Sequence, residues 1–294
     1  MEERTIKDSH GVDVHTRWWP VEAPRGIVLV AHGASEHGGR YDRFARALND
    51  AGFAAVAPDH RGHGVTGKGT GAGQMGTGGG RAVVDDLHEL RAAASERFGA
   101  DVPVHLFGHS MGSLIGLAYL TQHSAGLARG VLCGFPADLD TAAELGEGLK
   151  AAADGGMRDA PFDALSAYNE PFEPARTPYD WLSRDHAEVD RYVADAYCGD
   201  DNPLTYGYVA DLFDVLAPAV TNLGAITCPV LVIAGDQDPS GAMGESPTKL
   251  AAALRNAGVT TDLTIYEGAR HELLNETNRD EVTADVVAWL ASHR

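Results

Sequence analysis

The sequence predicts an α/β protein built on a mostly parallel central sheet with helices on both faces. Three observations carry that expectation. Short runs composed almost wholly of Val, Ile, Leu, Ala and Gly recur along the chain, as strands buried on both faces require. Longer stretches with apolar residues at helical spacing separate them. The 294 residues are 44% hydrophobic and 22% charged, enough apolar material for a sizeable core.

The elements follow in order. Gly26–Ala31 (GIVLVA) reads as a buried strand, and residues 41–51 as a helix stopped by Gly52. Phe53–Pro58 is a second strand. Residues 82–98 form a helix with Val83, Val84, Leu87 and Leu90 on one side. A third strand at 103–107 leads into a helix from Met111, and a fourth follows at 130–133. After a long interval come a strand at 229–234 (PVLVIA), a helix through 250–254, a strand at 262–266 and a last helix around 282–290.

Two stretches break this rhythm. Residues 62–80 hold ten glycines in nineteen positions, too many for a regular element, and are expected to form a mobile surface loop. Their glycines lack the Lys-Ser/Thr ending of a phosphate loop. Residues 135–213 show no strand pattern and carry 11 of the 21 aromatic residues. Helical patterns at 142–153, 185–197 and 208–216 suggest a helical cap over the sheet. The domain expectation is therefore a core of residues 1–134 and 223–294 and a cap of residues 135–222. Most of the cap's aromatics serve its own packing, and the remainder line an apolar pocket.

Composition excludes several classes. With 23 basic and 42 acidic residues the net charge is −19, which argues against nucleic acid as a partner. No apolar run approaches the roughly 18 residues of a membrane span. The opening Met1-Glu2-Glu3-Arg4 lacks the basic-then-apolar order of an export signal. Cys133, Cys198 and Cys228 are far apart and odd in number, so no disulfide framework is implied. A cytoplasmic protein without stable membrane insertion is expected.

Gly108-His109-Ser110-Met111-Gly112 carries the sharpest chemical signal. It joins a predicted strand to a predicted helix, the context in which Gly-x-Ser-x-Gly forms a tight elbow that presents the serine above the sheet. Glycine two residues to each side leaves room for that turn, and the helix N-terminus aims N–H groups at the same spot. A serine hydroxyl needs a base, and the base an orienting acid. Of the histidines after Ser110, namely His123, His186, His271 and His293, only His271 lies just past a predicted sheet strand. The strand at 229–234 runs into Gly235-Asp236-Gln237-Asp238, and spacing alone leaves Asp236 and Asp238 both open as the acid. Donors for a developing oxyanion are expected from the amides of Met111 and of Ala34, the latter in the loop His32-Gly33-Ala34-Ser35-Glu36-His37-Gly38. Asp59-His60-Arg61-Gly62-His63-Gly64 resembles a metal cage only superficially, because a third distant ligand is missing. A buried, hydrogen-bonded turn is expected there. Neither a metal nor a cofactor is implied.

With these residues in place, the chain resembles the monoacylglycerol lipase and lysophospholipase branch of the α/β-hydrolase superfamily, related to the serine aminopeptidase-like hydrolases. His32-Gly33-x-x-Glu36-His37-x-x-Arg40-Tyr41, Pro58-Asp59-His60-Arg61-Gly62-His63-Gly64 and the serine elbow look like that branch's motifs. The resemblance implies the α/β-hydrolase fold with a helical cap that gates apolar substrates. It selects Asp238, three residues past the strand-ending Gly235, over Asp236, and it matches Gly268-x-x-His271 to the family's histidine turn. Ser113 departs from the usual glycine, and Val65-Thr66-Gly67 from the usual Arg-Ser-Asp-Gly. Haloalkane dehalogenases and epoxide hydrolases carry aspartate where Ser110 stands.

The expectation is thus a cofactor-free serine hydrolase that cleaves medium-chain acyl esters, such as monoacylglycerols or lysophospholipids, through an acyl-enzyme, with a small apolar ester as its partner. Its triad would be Ser110, His271 and Asp238, with Ala34 and Met111 amides holding the oxyanion. The rivals are an amide or peptide hydrolase, or a perhydrolase, with the same triad, and a non-catalytic ligand receptor on the same fold.

Overall fold

The computed structural model describes residues 1–163, 165–199 and 202–292. In chain order its elements are β1 (Glu2–Lys7), β2 (Asp13–Trp19), β3 (Gly26–Ala31), α1 (Asp42–Asp50), β4 (Phe53–Pro58), α2 (Gly64–Thr70), α3 (Gly79–Phe98), β5 (Val104–His109), α4 (Met111–His123) and β6 (Leu127–Cys133). Then follow α5 (Ala142–Ala152), α6 (His186–Ala194), α7 (Tyr206–Thr221), β7 (Val230–Gly235), α8 (Glu245–Asn256), β8 (Thr261–Tyr266) and α9 (Arg279–Ala291). The strands form one sheet in the order β1-β2-β4-β3-β5-β6-β7-β8.

The six apolar runs are β3 to β8, and every pairing among them is parallel. Their side chains divide by the two-residue period of a strand. Ile27 and Leu29 join a core with α3, α4 and α8, while Val28 and Val30 face α1 and α9 on the other side. The sheet is covered on both faces, as continuous apolar strands demand. β1 and β2 were not anticipated. They are antiparallel additions at one edge, and their mixed sequences EERTIK and DVHTRWW hide the apolar alternation.

The glycine-rich segment corrects the sequence expectation of a mobile surface loop. Residues 64–70 form α2, Met75 is buried, and α3 begins at Gly79 rather than at residue 82. Arg61, fully buried, donates to the carbonyls of Met75 and Thr77 at 3.2 and 2.7 Å and pairs with Asp86 and Asp8. Glycine serves close approach here: a Cβ at Gly80 would lie 1.8 Å from the Asp211 carbonyl oxygen of α7.

Between β6 and β7 the described residues supply no sheet strand. Apolar side chains of α5 and α7, among them Leu149, Tyr208, Leu212 and Phe213, merge with the core on the α3–α4 side. A second part of this segment has its own small cluster of Tyr179, Trp181, Leu182, Val189, Tyr192 and Cys198. Among the described residues, no helix is long and apolar enough to cross a membrane.

Candidate active site

Ser110 sits between β5 and α4 with φ +51° and ψ −121°, a strained backbone for a residue with a Cβ. The turn is packed without slack, since a Cβ at Gly112 would lie 2.1 Å from the Ala31 oxygen. Ser110 N–H donates to the Cys133 carbonyl at 2.9 Å. Ser113, the departure from the family's glycine, donates from its Oγ to the Ser110 carbonyl at 2.6 Å and closes the elbow from inside. Met111 begins α4, so its amide belongs to the first turn, whose N–H groups have no partner within the helix.

The loops after β7 and β8 bring the candidate acid and the candidate base together. Asp236 accepts the Gly268 N–H at 2.7 Å and Gln237 N–H donates to the Ala269 carbonyl at 3.0 Å, which ties one loop to the other. His271 Nδ1 then meets Asp238 Oδ2 at 2.8 Å. Of the two candidate acids, Asp238 touches the imidazole and Asp236 holds the loop that carries it. Both members of the pair are buried. Burial by itself would depress the imidazole's pKa, but the Asp238 carboxylate and its hydrogen bond outweigh it and raise His271 above its ordinary value. Burial likewise opposes ionisation of Asp238, and His271 with the two bonds from Ser240 brings its pKa below the usual carboxylate range. Nδ1 carries the proton toward Asp238, leaving Nε2 as the acceptor.

The loop after β3 is held from within. Gly33 N–H donates to Glu36 Oε1 at 2.5 Å, and the Tyr41 hydroxyl donates to the same oxygen at 2.8 Å. Arg40 joins Glu36 Oε2 at 2.7 Å to Glu272, which it grips at 2.5 and 2.8 Å. Burial would raise the Glu272 carboxyl, but Arg40 holds it down at about 2. Glu272, next to His271, and the loop bearing Ala34 thus share one guanidinium. His32 accepts the His60 N–H at Nε2 and so donates from Nδ1 to the Gly33 carbonyl, at 2.9 and 2.7 Å.

Residues 59–64 make a buried turn. Asp59 pairs with Arg17 and accepts the N–H groups of Gly38 and Val65 at 3.0 and 2.9 Å. The rings of His60 and His63 lie 4.3 and 5.3 Å from that of His32. Burial keeps all three uncharged, with His60 brought down to about 3. His37, Asp195 and Cys198 place ligand-type atoms within 4.8 Å of one another. His37 Nδ1 accepts the Gly39 N–H at 3.2 Å, so Nε2 bears the proton and donates to Asp195 at 3.0 Å. That imidazole has no lone pair left for a cation.

Ala34, Ser110 and Met111 line one cavity of about 290 Å³ with Leu114, Leu145 and Leu149. Ser110 and His271 also line a narrower space beneath Trp181 and Leu182. Sequence reasoning missed three contributors. Ser240 donates its hydroxyl to Asp238 Oδ1 at 2.7 Å and lies 2.9 Å from His271 Nδ1; its Asp-x-Ser spacing was a legible turn signal. The Trp181 ring lies 4.8 Å from that of His271, for which only the aromatic density of residues 135–213 gave a hint. Glu272 carried no local signal.

Fold and candidate site together define a class: an α/β-hydrolase, with Ser110, Asp238 and His271 on loops at the carboxyl ends of parallel strands. The family model described as "Serine aminopeptidase, S33" matches residues 22–278, and the chain belongs to that family. It is 31% identical to the monoacylglycerol lipase of Mycolicibacterium smegmatis over 95% of this chain and 93% of the relative. It is 28% identical to the monoglyceride lipase of Homo sapiens over 96% and 86%. The structure superposes with a TM-score of 0.90 on a thermostable carboxyl esterase from Bacillus coagulans, solved in complex with glycerol, at 31% identity over 98% and 97% of the two chains. The protein is an ester-hydrolysing enzyme.

Proposed function

We propose that the protein is a serine hydrolase of medium-chain acyl esters, such as monoacylglycerols or lysophospholipids, that works through an acyl-enzyme. The observation that carries this reading is the apolar cavity onto which Ser110, Ala34 and Met111 all open. Its volume falls at the lower end of the range for small-molecule sites.

His271 Nε2 takes the Ser110 proton as Oγ attacks the ester carbonyl. The oxyanion accepts the N–H groups of Ala34 and Met111, each worth roughly 3–4 kcal/mol in well-studied cases. The imidazolium, steadied by Asp238, returns its proton to the leaving alcohol. Water, activated by the same imidazole, then releases the acid. Residues 135–222 act as the cap that supplies the acyl wall, and residues 1–134 and 223–294 as the core that supplies the chemistry. The acidic chain favours soluble or micellar esters over anionic bilayers. No step calls for a cofactor.

The test is fluorophosphonate labelling of the wild type and of Ser110→Ala, followed by a chain-length series of p-nitrophenyl esters beside aminoacyl anilides. Labelling confined to the wild type, with the highest turnover on medium-chain esters, supports the proposal. Faster anilide than ester turnover, or labelling that survives Ser110→Ala, overturns it.

A further inference from the structure

The loop that carries Ala34 is gripped from outside as well as from within, and the outer grip comes from Tyr192, Asp195, Gly199 and Asn202. The Ser35 carbonyl accepts the Tyr192 hydroxyl at 2.9 Å and the Gly199 N–H at 3.1 Å, which fills both of its lone pairs. Ser35 Oγ donates to the Asn202 carbonyl at 2.9 Å. Two residues further on, His37 donates to Asp195 at 3.0 Å. These residues are tied to one another: Cys198 N–H donates to the Asp195 carbonyl at 3.0 Å and Asn202 N–H to the Gly199 carbonyl at 2.9 Å. Tyr192 also rests on the Arg40 guanidinium, 4.8 Å from its ring centre.

Ser35 needs such a grip. Its φ of +51° lies in the left-handed region, which a residue with a Cβ occupies only when its surroundings hold it there. Glu36 fixes the Gly33 end of the turn. His32 holds the Gly33 carbonyl, on the same peptide as the Ala34 N–H, at 2.7 Å. The other end of this short segment is the left-handed Ser35 backbone, and the Ala34 N–H is aimed between these two anchors.

We propose that Tyr192, Asp195, Gly199 and Asn202 are positioning residues that help set the Ala34 amide, so that their contacts with the Ser35–His37 loop complete the oxyanion hole. The proposal rests on Ala34 being an oxyanion donor, as in the function proposed above. These residues act through the turnover step and not through substrate affinity, because the geometry they fix matters once the carbonyl oxygen becomes charged.

The test uses Tyr192→Phe, which removes one hydroxyl and keeps the ring on Arg40, and Ser35→Ala, which removes only the bond to Asn202. Each is assayed with p-nitrophenyl butyrate and with a trifluoromethyl ketone, whose adduct with a serine bears the oxyanion. In both variants kcat is expected to fall about ten-fold with KM within about two-fold of wild type, less than the hundred-fold that an ångström of misplacement can cost. The inhibitor's affinity should fall by the same factor as kcat. Wild-type kcat in both variants, or a loss confined to KM with inhibitor affinity intact, overturns the proposal. Ala34→Pro, which deletes the donor itself, separates the two levels. If it keeps wild-type kcat, the donor assignment fails; if it loses kcat while Tyr192→Phe and Ser35→Ala do not, only the positioning role fails.

Discussion

The strand-end loops and the α5–α7 wall of the cavity are built by different forces. In the loops after β3, β7 and β8, the side chains that matter are pinned by short, directional bonds: Gly33 to Glu36, Gly268 to Asp236, His271 to Asp238. In α5 and α7 the cavity is bounded by Leu145, Leu149, Leu212 and Phe213, whose contacts are apolar and without preferred direction. A directional network has one working geometry, whereas an apolar wall tolerates a change of shape and answers with a change of fit. Chemistry and selection should therefore fail separately.

The largest break in that comparison is expected at Ser110. On the proposed mechanism Ser110→Ala lowers kcat by about 10⁵- to 10⁶-fold for every ester, judged from triad deletions elsewhere, and a short-ester assay checks it. Asp238→Asn should follow at about 10⁴-fold, the loss seen when a triad acid can no longer fix the tautomer.

The pH profile comes next. His271 is raised above the ordinary imidazole value of 6.5, and it serves as a base only when neutral. kcat/KM should rise with pH to an inflection above 6.5 and fall about ten-fold per unit below it. An inflection below 6.5 would contradict the stated balance between Asp238 and burial.

At the cavity wall the effect should be smaller and selective. Leu145 is half exposed at the rim, so Leu145→Trp narrows the space without crowding the core. It should lower kcat/KM by about ten-fold for the longest accepted esters, a typical scale for pocket-size discrimination, and leave acetate esters near wild type. Uniform loss across chain lengths would erase the distinction between the two regions. Smallest of all is the exposed Arg158–Asp211 pair; Arg158→Ala should change stability by less than about 1 kcal/mol in denaturant titration.

Much of this was legible because the physics was local. β3, β4 and β7 announce themselves as unbroken apolar runs, β5, β6 and β8 as shorter ones between helical patterns, and the elbow needs glycine at 108 and 112 on steric grounds alone. β1 and β2 were not legible: β1, at the sheet edge, is mostly exposed, and β2 buries polar residues such as Thr16 and Arg17 among its apolar ones. The glycine-rich segment misled for an instructive reason. Glycine signals freedom when read alone, but at Gly80 it permits contact with a helix more than a hundred residues away. Spacing left Asp236 and Asp238 equivalent, because what separates them is the bond from Gly268, a tertiary fact. Trp181 and Glu272 lay beyond reach for the same reason, since each matters through a partner distant in sequence, whereas Ser240 stands two residues from Asp238 in a spacing that could have been read.

The three clustered imidazoles at positions 32, 60 and 63 set a limit of another kind. Their folded-state affinities for protons lie below that of a free histidine, so the stability they contribute is complete above pH 6.5 and drains away as acid is added. An unfolded chain would take up those protons readily, whereas the native one refuses the His60 proton until about pH 3. The motif that shapes the turn beside the active site is thus also an acid fuse, restricting the range of acidity in which the folded enzyme can persist.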